Sequence, residues 1–136
     1  MFYPSQPEDL KNLLTSFFEG TVTSVTNPKG ILVPHAGFIY SGPAAAVSYA
    51  KIDSSFDGTF VIIGPNHSGY TTATADFAWD TPIGTVYPDS EFIASLPLPK
   101  DELYLREQEN SLEVQMPFIA YRFPNAKTVA LLIWEK

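Results

Sequence analysis

The sequence has no cysteine, so these residues can hold neither a disulfide framework nor a thiolate metal ligand. Positive charge is also scarce. Eight lysines and arginines stand against 15 acidic residues, the net charge is −7, and no basic cluster occurs. A polyanion would meet repulsion, which argues against nucleic acid as a partner. No apolar run approaches the ~20 residues needed to cross a bilayer. The first twenty residues also lack a basic stretch followed by an apolar core, so a cytoplasmic protein without a membrane association is the simplest reading. No fixed-period repeat, low-complexity tract or linker-like shift in composition appears, and residues 1–136 are read as a single domain.

What is present suffices for a packed core: 45% of residues are hydrophobic and 14% aromatic. Twelve prolines and eight glycines add stiff turns. Ser5-Gln6-Pro7-Glu8 has capping-box spacing, and Leu10, Leu13, Leu14, Phe17 and Phe18 recur on one helical face, with Gly20 suited to a left-handed stop. Gly30 to Val33 reads as a buried strand. Tyr40-Ser41-Gly42-Pro43 then caps a helix over Ala44 to Ala50, and Asp53 to Gly58 turns into a strand from Thr59 to Ile63. This is a right-handed parallel strand-helix-strand unit.

Further on, Thr71 to Trp79 favours extended structure and Asp80 to Gly84 a turn, while Asp89 caps a short helix over Ser90 to Ser95. Ser111 to Phe123 reads as a mostly buried helix that Pro117 kinks or shortens. Thr128 to Trp134 is a strongly apolar strand with nothing after it to cover its far face, so self-association through this last strand is expected.

The chain's two histidines both follow apolar, strand-like runs, in Ile31-Leu32-Val33-Pro34-His35-Ala36-Gly37 and Ile62-Ile63-Gly64-Pro65-Asn66-His67-Ser68-Gly69. Ligands of open α/β sheets bind beyond the carboxyl ends of strands, so the two segments read as halves of one pocket. Neutral imidazole is the commonest metal ligand, yet two histidines leave a centre incomplete. Asn66 and Ser68 flank His67, Tyr40 offers a phenol near His35, and Gly37 permits close backbone approach. The polar stretch from Glu107 to Gln115, which includes Glu109, Asn110, Ser111 and Glu113, adds a helix start near Asn110 aimed at an anion, with Glu113 a base, a network anchor or a surface charge.

In order and spacing, Phe2-Tyr3-Pro4, then Val33-Pro34-His35-Ala36-Gly37-Phe38-Ile39-Tyr40-Ser41-Gly42, then Ile63-Gly64-Pro65-Asn66-His67, then Glu109 to Phe118 resemble the Memo family. Its microbial members are called AmmeMemoRadiSam system protein B. The resemblance implies an α/β, layered, LigB-like fold with a mostly parallel central sheet flanked by helices, similar to class III extradiol dioxygenases. It also implies that His35 and His67 are metal ligands, for iron(II) or copper. The third ligand belongs to the C-terminal part of the family domain, which these residues do not reach, so the chain is expected to be only the N-terminal part.

Two departures reduce the imidazole content of the pocket. Where the family reads Glu-His-Ser this chain has Glu109-Asn110-Ser111, and Ser68 stands where many relatives carry a second histidine. Asparagine cannot take up a proton as a general base. Three functions fit: a metal-dependent, dioxygenase-like oxidoreductase, a non-enzymatic protein that binds a peptide or small ligand in the same pocket, or an inactive fragment. Fold likeness alone does not assign a reaction.

Overall fold

A computed structural model describes residues 1–21, 24–69 and 71–134. The elements are α1 (Pro7–Glu19), α2 (Phe38–Tyr49), β1 (Thr59–Pro65), β2 (Ala73–Thr74), β3 (Trp79–Thr81), β4 (Gly84–Pro88), α3 (Ser90–Ser95), α4 (Glu102–Glu107), α5 (Met116–Arg122) and β5 (Lys127–Ile133). The sheet has the order β1-β5-β4-β3. β5 runs parallel to both β1 and β4, β3 is antiparallel to β4, and β2 pairs antiparallel with β5. The fold is the expected α/β layer with a mostly parallel sheet and flanking helices. Among the described residues no helix is long and apolar enough to cross a membrane.

β5 is fully apolar across its middle because it is interior. Thr128, Val129, Ala130 and Leu132 are all buried, as a parallel strand with neighbours on both sides requires. The expectation of an uncovered last strand therefore gives way: β1 occupies one side of β5, while β4 and β2 share the other. Among the described residues the outer strands of the sheet are β1 at one edge and β3 at the other.

α1 forms where its apolar spacing places it, with Leu10 and Leu14 fully buried. Its start and stop differ from the expected ones. Gln6, not Ser5, occupies the N-cap without a side-chain bond, Pro7 begins the helix, and Gly20 is right-handed at φ −73°. α2 begins at Phe38, ahead of the expected Ala44, and carries Pro43 inside it. Gly42 is required at the crossing of α1 and α2, because a Cβ there would lie 2.1 Å from the Phe17 ring. Phe118 of α5 joins the layer, its ring 4.9 Å from Phe38 and stacked 5.2 Å from Tyr49.

The expected strand over Gly30 to Val33 does not form. The segment is extended but has no sheet partner among the described residues; Ser48 Oγ of α2 donates to the Leu32 carbonyl, and just upstream Thr26 and Asn27 N–H donate to the carbonyl of Lys51, which follows α2. A strand is defined by its neighbour, and none is adjacent here. The expected strand over Thr71 to Trp79 shrinks to β2 and the start of β3, and Asp80 to Gly84 falls in the β3–β4 hairpin. Gly84 sits there at φ +150°, a conformation that disfavours a side chain. α3 is capped as expected by Asp89, which accepts from Phe92 N–H. The helix expected from Ser111 splits into a 3-10 turn at Glu113–Gln115 and α5, and Pro117 lies in the first turn of α5, where its missing N–H costs nothing.

Candidate functional site

His67 leaves the end of β1, and His35 leaves the extended segment just before α2. Their ring centres are 5.2 Å apart, tilted by 59°. Two imidazoles bound to one ion at about 2.1 Å per nitrogen would place their ring centres ~5 Å apart, so the spacing suits shared ligation. Simple ring packing spans the same distances.

The nearest polar partner of the His67 ring is Glu109, whose side chain is 2% exposed against 52% for His67. Its Oε1 lies 2.9 Å from His67 Nδ1 and also accepts from Ser111 N–H at 2.9 Å, while Oε2 accepts from His67 N–H at 3.1 Å. Burial on its own raises this carboxyl's pKa. The Ser111 and His67 amides and the His67 ring outweigh it, and the net shift is downward. An ionised carboxylate only accepts, so the proton between the two groups sits on His67 Nδ1, and in the neutral imidazole Nε2 is the nitrogen that keeps its lone pair.

Other candidates turn out to build the scaffold of this pair. Asn66 uses its whole amide within the His67 loop: Nδ2 donates to Thr71 O at 2.8 Å, and Oδ1 accepts from Gly69 N–H and from the Tyr104 hydroxyl, both at 2.6 Å. Ser68 is exposed, and its N–H reaches the same Tyr104 oxygen. Gly69 is fixed as glycine because a Cβ would sit 2.6 Å from Asn66 Nδ2. Ser111 packs against the end of β1, its Oγ 3.5 Å from the Pro65 carbonyl and 2.6 Å from where a Cβ on Gly64 would be.

Glu113 is an anchor: its Oε1 accepts from Tyr3 OH at 2.6 Å. Burial first, then this bond and the Glu113 charge, push the Tyr3 pKa far up, so the phenol stays protonated. Phe2 O accepts from Phe38 N–H, and the N-terminal segment is thereby strapped to the start of α2 beside His35. Gly37 is the N-cap of α2 and has room for a methyl group. Tyr40 is 81% exposed. Asn110 is exposed, and its carbonyl accepts from Val114 N–H; no helix starts there to aim amides at an anion.

Two residues of the site are not singled out in the sequence, where Gln115 is only the end of a polar stretch. Gln115 is buried, its Oε1 accepting from Tyr49 OH at 2.9 Å and its Nε2 donating to Pro34 O at 3.1 Å. It thus holds the backbone immediately before His35. An amide side chain between Val114 and Met116 in an apolar stretch is the signal that marks it. Tyr104, from α4, is the second. Among the described residues no cluster of three or more His, Cys, Asp or Glu is placed to hold a metal.

An α/β sheet with two imidazoles converging beyond β1, one oriented by a buried carboxylate, defines a paired-histidine protein. Comparison with known proteins gives its family. Residues 1–136 match the family model for Memo-like proteins, and the chain belongs to that family. It is 38% identical over 137 residues to a MEMO1 family protein of Methanopyrus kandleri, covering 88% of this chain and 48% of that relative. Against the MEMO1 family protein of Methanosarcina barkeri the identity is 39% over 127 residues, 90% of this chain and 47% of the relative. For that of Thermoplasma volcanium it is 36% over 139 residues, 97% and 52%. The chain spans about half the length of these relatives.

Proposed function

We propose that His35 and His67 supply two ligands of a mononuclear metal site, for iron(II) or copper, completed by a ligand from outside these residues. The observation that carries this reading is the Glu109 contact to His67 Nδ1, which leaves Nε2 as the free donor in the manner of carboxylate-supported metal histidines. Bound there, the ion would supply Lewis-acid and redox chemistry. The chain's own residues do the positioning: Glu109 fixes the tautomer and direction of His67, and Gln115 fixes the approach to His35. The oxidoreductase and dioxygenase-like reading rests on the ion and leaves the substrate open.

The test is anaerobic iron(II) titration followed by NMR. Paramagnetic broadening is expected first at His35 and His67 and is expected to vanish in His35→Ala and in His67→Ala. Broadening centred elsewhere, or undiminished in both variants, would overturn the proposal. A second reading, metal-independent binding of a peptide, is favoured by Ile39 and Tyr40, which are 77% and 81% exposed directly after His35. Peptide capture that persists in chelator-treated protein and fails in Tyr40→Ala would support it.

A further inference from the structure

β1 leaves one whole side of the sheet unpaired. Asn66 N–H donates to Ile133 O, and Gly58 O accepts from Lys127 N–H, so the even-numbered backbone groups of this stretch face β5. Alternation along a strand then turns the N–H and C=O groups of Thr59, Val61 and Ile63 the other way. No strand among the described residues lies on that side. Val61 is 46% exposed and Ile63 66%.

Facing this edge is the extended wall from Asn27 to Val33, and between them lies a groove of about 780 Å³ floored by Tyr49, Ile52, Phe56 and Ile119. Leu32 on that wall is 92% exposed. Ser48 and Lys51 of the α2 end hold the wall in place, so it stands off from β1 instead of pairing with it. An apolar trough with a row of unpaired backbone donors and acceptors along one side is the complement of a single β-strand.

We infer that this groove is the seat of a β-strand contributed by the half of the family domain that the relatives carry beyond the stretch matched by this chain. The relatives are about twice as long as that stretch, which makes the polypeptide available. A small apolar molecule would fill the trough but leave the Val61 and Ile63 amides without partners along their length. A second copy would have to bring one of its own paired strands into a groove already walled by residues 27–33. Two chains of net charge −7 also repel.

Hydrogen exchange followed by NMR tests this without any metal, so its failure leaves the histidine proposal standing. In the 136-residue protein the Val61 and Ile63 amides are expected to exchange at least about 100-fold faster than those of Ile62 and Gly64, which face β5. In the full-length Methanosarcina barkeri relative, the strand aligned with β1 is expected to be protected on both edges. Its outward amides should show cross-strand contacts to residues outside the matched stretch. Fast exchange of those outward amides in the relative, or contacts only to residues inside the matched stretch, would overturn the inference. So would protection in the 136-residue protein that rises with its concentration, which would make a second copy the occupant. The relative decides the matter even where the shorter chain fails to fold.

Discussion

Glu109→Gln isolates the role of the buried carboxylate. The substitution keeps the shape of the side chain but replaces an acceptor of three hydrogen bonds, from His67 N–H, His67 Nδ1–H and Ser111 N–H, by a neutral group. The new amide NH2 must also face one of these donors. Hydrogen bonds to a charged group contribute about 1.5–3 kcal/mol each, and part of the set survives on the remaining oxygen, so the expected loss is about 2–4 kcal/mol at neutral pH. For a domain of this size that is a fall of roughly 10 °C in melting temperature.

The pH dependence has a definite sign. The folded carboxyl titrates below its ordinary value of 4.5, so the unfolded chain binds more protons in the interval between the two values. The Glu109 contribution is therefore complete above that ordinary value and is lost as pH falls through the lowered one. Thermal unfolding of both proteins between pH 3 and 7.5 should show the two curves converging at the acid end. Long-range proton–nitrogen spectra of the imidazole should show the Nδ1–H form of His67 in the parent and a mixture in the variant. A stability difference below about 0.5 kcal/mol at pH 7, or an unchanged tautomer, would refute the reasoning.

Three further substitutions probe the scaffold. Gly64→Ala places a methyl group 2.6 Å from Ser111 Oγ and 3.1 Å from Leu112 Cδ2, and should cost about 1–3 kcal/mol in denaturant unfolding, relieved in part by adding Ser111→Gly. Gln115→Leu strands the buried Tyr49 hydroxyl and frees the Pro34 carbonyl, with an expected loss of about 1–3 kcal/mol and a shift of the His35 ring resonances; unchanged resonances would count against its positioning role. Tyr104→Phe removes the hydroxyl shared by Asn66 and the Ser68 amide, and should speed exchange of the Ser68 and Gly69 amides while lowering global stability by only about 0.5–1.5 kcal/mol.

Elements governed by local rules were legible in the sequence. α1 follows from apolar spacing, α3 from Asp89, and β1 from a short β-branched run bounded by Gly58 and Pro65. Elements that depend on a partner were not. Gly30 to Val33 has the composition of a strand, yet pairing is a property of two segments, and among the described residues no strand pairs with it. α4 is only six residues long and was missed, although Asp101 caps it through Tyr104 N–H as Asp89 caps α3. The histidine pair was readable because each ring follows an apolar run. Glu109 was visible only as one of several carboxylates, since its bond to His67 spans 42 positions of sequence.

That long-range contact is one of a set, and the set explains how two irregular arms can present a fixed pair of rings. A proline precedes each histidine, Pro34 directly and Pro65 by two residues, and its ring fixes φ in the arm just before the site. In both arms the proline carbonyl is met by a side chain from the same short segment: Gln115 Nε2 reaches Pro34 O at 3.1 Å, and Ser111 Oγ approaches Pro65 O at 3.5 Å. Glu109, from that segment as well, takes the His67 ring and its amide. Residues 109–115 thus grip both arms from one side, and α5, continuing directly from them, anchors the grip in the core through Phe118 and Ile119. The distance between the imidazoles is set by this segment more than by the sheet. Losses in Glu109→Gln and Gln115→Leu should accordingly be non-additive in ring position even where they add in stability.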